Sequence, residues 1–175
     1  MERIIVCEML HYLRSYNLIS KQQHGFLSRR STTTNLLETI NDWTLAIDNR
    51  NAISVVYMDF ARAFDTVCRS KLCYKLSRYG ITGNLLKWIQ SFLTDRSQCT
   101  GVGQSCSDYV SLSSGIVQGS ILGPLLFLMY INDNVDLFDS TCSCKLYADD
   151  IKVYSVINTK EDGRSVFSVI LVAES

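Results

Sequence analysis

The sequence predicts an α+β fold in a single domain. Apolar residues make up 47% and charged residues 19% of the 175, a balance typical of globular proteins and not of disordered ones. Helical stripes of apolar residues and short runs of β-branched residues both occur, so we expect helices packed on a small sheet. The 17 basic and 17 acidic residues cancel, which argues against a strongly basic protein that coats DNA.

The first fifty residues predict two helices joined by a basic loop. Apolar residues recur with helical spacing over residues 4–16. Residues 20–31 are polar and carry three basic side chains, and Ser31 or Thr32 can cap the helix that follows. Five apolar residues line one broad side of this second helix, the side that an amphipathic helix turns towards a core: Leu36, Leu37, Ile40, Trp43 and Ile47.

Strands are expected in two places. Residues 52–60 are mostly β-branched and aromatic and read as a buried strand with an aspartate near its end. The strand-like runs 142–147 and 151–157 flank Ala148-Asp149-Asp150, which predicts a hairpin with acidic residues at its turn. The intervening segments predict, in order, a helix at 70–79, a helix at 84–93, a hairpin at 97–114 and, at 115–134, a glycine-rich turn that becomes an apolar helix.

Two acidic features carry the chemical signal: Asp59 and the pair Asp149-Asp150. Each adjoins an apolar strand, so the carboxylates are expected at a strand end and not on a solvated face. Carboxylates brought side by side repel one another unless a cation lies between them. Oxygen ligands without histidine or cysteine favour Mg²⁺ or Mn²⁺, and two such ions can catalyse phosphoryl transfer. From spacing alone this signal is weak, because an Asp-Asp pair in a hairpin more often forms a plain turn.

Four blocks, taken in order, resemble motifs of the reverse transcriptase family, in the style of jockey-like non-LTR retrotransposons. The blocks are Gln23-His24-Gly25-Phe26 with Arg29-Arg30-Ser31-Thr32; Met58-Asp59-Phe60-Ala61-Arg62-Ala63-Phe64-Asp65; Ser114 to Phe127, which contains Gln118-Gly119; and Tyr147-Ala148-Asp149-Asp150. The resemblance covers roughly residues 5–165. It implies a polymerase palm-and-fingers (right-hand) fold, with an antiparallel palm sheet packed on helices.

The resemblance also implies the boundaries of a partial reverse transcriptase domain over residues 1–175. The fingers would comprise about 1–50 and 66–114, and the palm about 51–65 and 115–158. The family continues with a further strand, a primer grip and a helical thumb, whereas only 25 residues follow Asp150. We therefore expect a C-terminally truncated chain without a thumb, in which 159–175 form a tail.

The resemblance assigns a role to individual residues. Asp59 and Asp149 would bind the metal ions, Mg²⁺ or Mn²⁺, and Asp150 would be the third catalytic carboxylate. Phe64 would be a steric gate whose ring excludes a 2′-hydroxyl; from the residues alone it is a core aromatic. The other implied nucleotide-binding residues are Phe60, Gln118, Gly119, Ala148 and Arg30, and the implied nucleic-acid-binding residues are Arg29, Arg62 and Tyr147. Val117 stands where the family usually has proline, which predicts a looser pocket.

The implied activity is that of an RNA-directed DNA polymerase, which transfers a nucleotide from a dNTP to a primer 3′-hydroxyl on an RNA template. The alternative is a catalytically inactive remnant that binds RNA or protein weakly. An RNA polymerase is disfavoured because Phe64 would exclude ribonucleotides. Without a signal peptide or membrane span in the sequence, an intracellular location is expected. Self-association through an open palm edge is also expected.

Overall fold

The computed structural model describes residues 1–138 and 141–157. The chain divides into two compact units. The first comprises Met1–Leu18 and Arg62–Tyr130, and the second comprises Ile19–Ala61 and the chain from Ile131 onwards. The boundaries expected for fingers and palm stay a prediction. The expected tail, 159–175, lies outside the described residues.

Helices and strands occur where the sequence predicts them, with bounds that shift by one to a few residues. The helices are α1 (Glu2–Ser15), α2 (Thr32–Asp48), α3 (Arg69–Arg78), α4 (Gly83–Leu93) and α5 (Gly123–Ile131), followed by a 3₁₀ helix at Asn132–Leu137. The strands are β1 (Ala52–Met58), β2 (Ser97–Gln98), β3 (Gly101–Val102), β4 (Ser105–Cys106), β5 (Val110–Ser111), β6 (Ser143–Tyr147) and β7 (Asp150–Ile157).

The second unit is built on an antiparallel sheet with strand order β1-β7-β6. Successive side chains of a strand point to opposite faces, and the two faces of β7 differ in character. Ile151 and Val153 lie on one face, in an apolar cluster with Cys144 and Leu146 of β6. Val135 and Phe138 pack against this cluster, so the 3₁₀ helix region covers the apolar face.

Helix α2 packs on the other face of the sheet, and it does so through polar residues. Its fully buried side chains include Asn35 and Thr39, which meet Lys152 of β7. The expectation that the apolar side would face the core is therefore wrong. Four of the five residues are 52–64% exposed: Leu36, Leu37, Ile40 and Ile47. The reason is that β7 presents Lys152 and Tyr154 to the helix, and Asn35, Thr39 and Asp42 of the helix accept hydrogen bonds from them.

The fifth residue, Trp43, is partly buried and packs edge-on against Tyr154, with ring centroids 6.0 Å apart.

Ser31 caps the N-terminus of α2, as the sequence predicted. The Ser31 hydroxyl accepts from the Thr34 N–H at 3.1 Å, and the Thr34 hydroxyl accepts from the Ser31 N–H at 2.9 Å. This reciprocal cap satisfies two backbone donors at the helix N-terminus.

The first unit places the predicted 97–114 hairpin beside α3. The hairpin forms as two short ladders, β2 with β5 and β3 with β4. Arg69 of α3 fixes the segment that follows β5, because its guanidinium donates to the carbonyls of Leu112, Ser114 and Gly115 at 2.7–3.0 Å. Gly115 has a φ of +84°, and a Cβ there would lie 2.9 Å from the carbonyl oxygen of Asp65. Only glycine fits both constraints.

Within the described ranges, no helix is long and apolar enough to cross a membrane.

Candidate active site

The three motif aspartates lie at one end of the β1-β7-β6 sheet. The last residue of β1, Met58, pairs with Ile151 of β7, so Asp59 leaves the strand beside the start of β7. Tyr147 pairs with Asp150, which leaves Ala148 and Asp149 as a two-residue hairpin loop at that same end. The antiparallel register thus brings Asp59 to the same end of the sheet as Asp149 and Asp150, which lie about 90 residues further along the chain.

Burial and mutual repulsion both act on the carboxylates of this group. The pKa of Asp150 is raised, first by burial and then by the negative charges of Asp149 and Asp59. A cation placed among the carboxylates would relieve this repulsion. Among the described residues, however, no three Asp, Glu, His or Cys side chains form a group that could hold a metal ion by itself. Carboxylate oxygens are nonetheless the donors that Mg²⁺ takes, and Mg²⁺ needs only one or two of them when water or substrate phosphate completes its shell.

Gln23 holds the hairpin loop from behind. Its side chain is 2% exposed, and its Oε1 accepts from the N–H of Ala148 at 3.0 Å and from that of Gly25 at 2.6 Å. Its Nε2 lies 3.5 Å from the carbonyl oxygen of Ala148. Ala148 needs such support because its φ of +55° lies in the left-handed region, which is unfavourable for a residue with a Cβ.

The backbone of the 22–25 segment runs directly along the hairpin. Leu146 exchanges hydrogen bonds with it, accepting from the His24 N–H and donating to the Gln22 carbonyl, both at 2.9 Å. Gly25 touches the loop itself, since a Cβ on Gly25 would lie 2.2 Å from the Ala148 nitrogen. The Ala148 side chain is 5% exposed on this side. Its small size therefore fits the contact with Gly25, a reason that the resemblance did not supply.

A network of basic residues begins at His24. The guanidinium of Arg30 donates from Nη1 to His24 Nε2 at 2.9 Å and to the Lys21 carbonyl at 2.7 Å. Since arginine cannot accept, Nε2 must carry a lone pair, and Nδ1 then donates to the Thr34 hydroxyl at 3.0 Å. The contact with Arg30 requires a neutral ring, which agrees with a pKa lowered by burial and by Arg30; the Glu38 carboxylate, 3.4 Å from the same Nε2, acts in the opposite direction.

Arg30 is anchored at one end only. Its Nη1 is used, whereas Nε and Nη2 have no hydrogen-bond partner among the described residues. A half-buried guanidinium with free donors is suited to a phosphate oxygen. Arg29 and Arg62 are exposed and both have positive φ, so they sit in turns of the backbone.

In the first unit, Phe64 stacks on Phe127 of α5, with ring centroids 4.3 Å apart and planes 15° from parallel. Phe64 is only partly buried, so one side of the ring is fixed by the core and part of it remains accessible. Nearby, Gln118 Nε2 donates to an Asp65 carboxylate oxygen at 2.7 Å. Gly119 is exposed with a φ of +80° and open space around the position of a Cβ.

The N–H groups at the start of α5 already have acceptors. A helix that begins after a glycine-rich turn can offer such groups to an external anion. In the structure, a Glu2 carboxylate oxygen accepts from the N–H groups of Ile121 and Leu122 at 2.8 and 3.0 Å. The Ser120 hydroxyl accepts from Gly123. These donors are therefore taken by the chain's own side chains.

The remaining site residues flank the carboxylate end of the sheet. Phe60 is 44% exposed beyond the end of β1. Tyr147 is half-buried at the end of β6. The roles predicted for these residues, and for the others assigned from the resemblance, stay predictions.

Sequence reasoning missed two structural contributors, Gln23 and Lys152. Gln23 was part of a quoted motif without a role of its own, and a buried polar residue between two turns leaves no periodic signal. Lys152 lies in a mostly apolar strand pattern, Ile151 to Val156, in which it is the single charged residue. That irregularity is the signal that could have found it.

Comparison with known proteins identifies the family of the chain. The profile of the family described as "Reverse transcriptase (RNA-dependent DNA polymerase)" matches residues 1–172. The chain is 30% identical over 133 residues to the RNA-directed DNA polymerase from mobile element jockey of Drosophila melanogaster, covering 76% of this chain and 14% of that protein. It is 24% identical to the probable RNA-directed DNA polymerase from transposon X-element of the same species, and the match covers 87% of this chain and 17% of that protein.

The fold also has a solved counterpart. The chain is similar in structure to apo telomerase from Candida tropicalis truncated from the C-terminal domain, with a TM-score of 0.69 and 14% sequence identity. The match covers 97% of this chain and 36% of the telomerase chain. The expected right-hand polymerase fold class is confirmed. The chain belongs to the reverse transcriptase family, and it spans 14–17% of the length of the two retrotransposon relatives.

Proposed function

We propose that the chain is the core of an RNA-directed DNA polymerase that adds deoxynucleotides to a primer 3′-hydroxyl on an RNA template. The observation that carries this proposal is the convergence of Asp59, Asp149 and Asp150 at one end of the sheet. The locked loop behind them supports it, because positioning supplies much of the rate in such reactions. The relatives' names include the same activity.

Asp59 and Asp149 would hold the divalent ions, Mg²⁺ or Mn²⁺. When bound, such ions supply Lewis-acid stabilisation of the negative charge that develops on the phosphate oxygens. The chain's own residues orient the reactants. Arg30 offers its free Nε and Nη2 donors to a triphosphate oxygen, and Gln23 fixes the loop that carries Asp149. Phe60, Gln118, Gly119 and Ala148 would border the nucleotide, and Arg29, Arg62 and Tyr147 the template and primer.

A primer-extension assay tests the proposal. The substrate is poly(rA) annealed to oligo(dT), with dTTP and either Mg²⁺ or Mn²⁺. Template-dependent extension that needs the divalent ion is the expected result for a polypeptide that contains residues 1–175. Absence of extension, with binding of the template-primer retained, would favour the alternative of an inactive fragment that binds RNA. The cancelling charges of the chain are the feature that favours this alternative.

The gate role of Phe64 gives a selectivity prediction. In an active polypeptide, Phe64→Val should raise the incorporation of ribonucleotides relative to deoxynucleotides by about tenfold or more, since the ring would no longer meet the 2′-hydroxyl. Competition between rNTP and dNTP measures it. Phe92→Val is the matched control, because Phe92 is another partly buried phenylalanine of the same unit, stacked on Trp88. Equal discrimination in wild type and Phe64→Val would remove Phe64 from the gate role.

We further propose self-association through the free edge of β1. Within the described residues β1 pairs only with β7, so its outer N–H and C=O groups can pair with a second chain. Sedimentation velocity should show a species that grows with concentration. Ile40→Lys, which places a charge on the exposed side of α2, should leave that association unchanged. A monomer at every concentration, or an association lost in Ile40→Lys, would contradict pairing through β1.

A further inference from the structure

A pocket lies between α2 and the polar face of the β1-β7-β6 sheet. Its volume is about 360 Å³, the size of a small organic molecule. Leu36 of α2 and Tyr57 of β1 are among its apolar walls, and Lys145 and Lys152 also line it. Asp59 and Asp150 line the pocket as well, at the carboxylate end of the sheet.

Lys152 is an unusual side chain to find there. It is 8% exposed, and it is not paired with a carboxylate among the described residues. Its ammonium group donates to Asn35 Oδ1 at 3.3 Å and to Thr39 Oγ1 at 3.1 Å. An ammonium has three donors, so one N–H remains without an acceptor in the described part of the chain. Burying a charge that is incompletely satisfied is costly, which makes this position worth explaining.

Two aromatic rings stabilise the cation without neutralising it. Lys152 Nζ lies 5.8 Å from the centre of the Tyr57 ring and 6.0 Å from that of Trp43. Such contacts favour a cation at this place. They leave its net charge and its free donor in place for a ligand.

At the end of the pocket lined by Lys145 and Lys152, one positive charge has no acidic partner among the described residues. Lys145 stands directly opposite Lys152 in the sheet register, and like charges in that position repel. Glu38 compensates one of them, because its carboxylate accepts from Lys145 Nζ at 2.7 Å. The charge of Lys152 is therefore the one left without a counter-ion.

We propose that this pocket binds a small organic monoanion, a carboxylate on an apolar body, with the carboxylate on Lys152 and the body against Leu36 and Tyr57. A single carboxylate matches the single uncompensated charge and the free N–H. The apolar walls account for a hydrophobic body. A dianion such as phosphate fits less well, because only one cation is free and Asp59 and Asp150 lie along the same pocket.

The pocket shares Asp59 and Asp150 with the candidate active site, but the proposal rests on Lys152 and not on the polymerase reaction. Its ligand makes no use of the divalent ions, the primer or the nucleotide. The proposal can therefore be tested on the 175-residue chain by binding alone, and a negative primer-extension assay would leave it standing.

The probe is 4-phenylbutanoate, and the neutral 4-phenylbutanamide is its matched control. Titration of each into isotope-labelled protein is followed by backbone amide chemical shifts. The carboxylate is expected to bind about tenfold more tightly than the amide, the preference that a charge-assisted hydrogen bond provides. The shifts should concentrate at Leu36, Tyr57 and Ile151, with α3 and α4 unaffected. Equal affinity, no binding, or shifts elsewhere would overturn the proposal.

A variant localises the preference. Lys152→Met keeps a long flexible side chain and removes the charge, so it should bind the two probes equally. Lys71→Met is the control, because Lys71 is exposed on α3 in the other unit, and it should retain the tenfold preference. A thermal melt confirms that Lys152→Met is folded; if it is not, the carboxylate-to-amide comparison on the wild type still decides. Retention of the preference in folded Lys152→Met would place the anion elsewhere and sink the assignment.

Discussion

Asp149→Asn is expected to reduce kcat for primer extension by about 10³-fold or more in any active polypeptide that contains this segment, since a lost metal contact costs several kcal/mol in the transition state. The substitution preserves the size of the side chain and its place in the two-residue loop. It removes the negative charge that would hold a divalent ion in the proposed function. The loss should therefore appear in the chemical step and not in folding, which single-turnover extension and a thermal melt separate.

Two comparisons make this result specific to the site. Asp108→Asn makes the same chemical change at an exposed position of the first unit, and its activity should match that of wild type. Asp59→Asn should resemble Asp149→Asn, and the double variant should be little worse than either, because residues that act together are not additive. Activity of Asp149→Asn within tenfold of wild type would exclude the assigned role.

The carboxylate end of the sheet could be predicted from sequence because its information is local. Asp59 and Asp149 each stand next to a strand with a clear β-branched pattern, and the two-residue turn at Ala148-Asp149 sets the register of β6 on β7. The pairing of β1 with β7 then fixes the position of Asp59, because the preceding residue, Met58, pairs with Ile151. Motif order and strand pattern therefore sufficed to place the three aspartates at one end of the sheet.

The packing of α2 could not be predicted in the same way. The helix has an apolar side, and periodicity alone directs such a side to the core. The sheet face that it covers carries Lys152 and Tyr154, and Tyr154 donates a hydrogen bond to Asp42 of the helix. Polar matching between two elements distant in sequence decided the orientation, and no single-segment pattern contains that information.

The second large effect is expected at Gln23, whose buried Oε1 is the acceptor for the N–H groups of Gly25 and Ala148. Gln23→Leu has a similar volume but offers no acceptor. Each buried donor left unsatisfied costs about 1–3 kcal/mol, so we expect the free energy of unfolding to fall by about 3 kcal/mol. Denaturant unfolding measures it, and Gln22→Leu is the control because Gln22 is the exposed neighbour.

The same change should loosen the catalytic loop before the rest of the unit unfolds. Ala148 keeps a φ of +55° that an alanine disfavours by about 1–2 kcal/mol, and the Gln23 contact helps to hold it there. Amide hydrogen exchange at Ala148 and Gly25 should therefore accelerate more in Gln23→Leu than exchange in the middle of β7. Adding Ala148→Gly removes the backbone penalty, because glycine adopts positive φ freely, and should restore part of the lost stability. If Gln23→Leu unfolds like wild type and its loop exchanges no faster, Gln23 does not hold the loop, and the backbone contacts of Leu146 with Gln22 and His24 suffice to place Asp149.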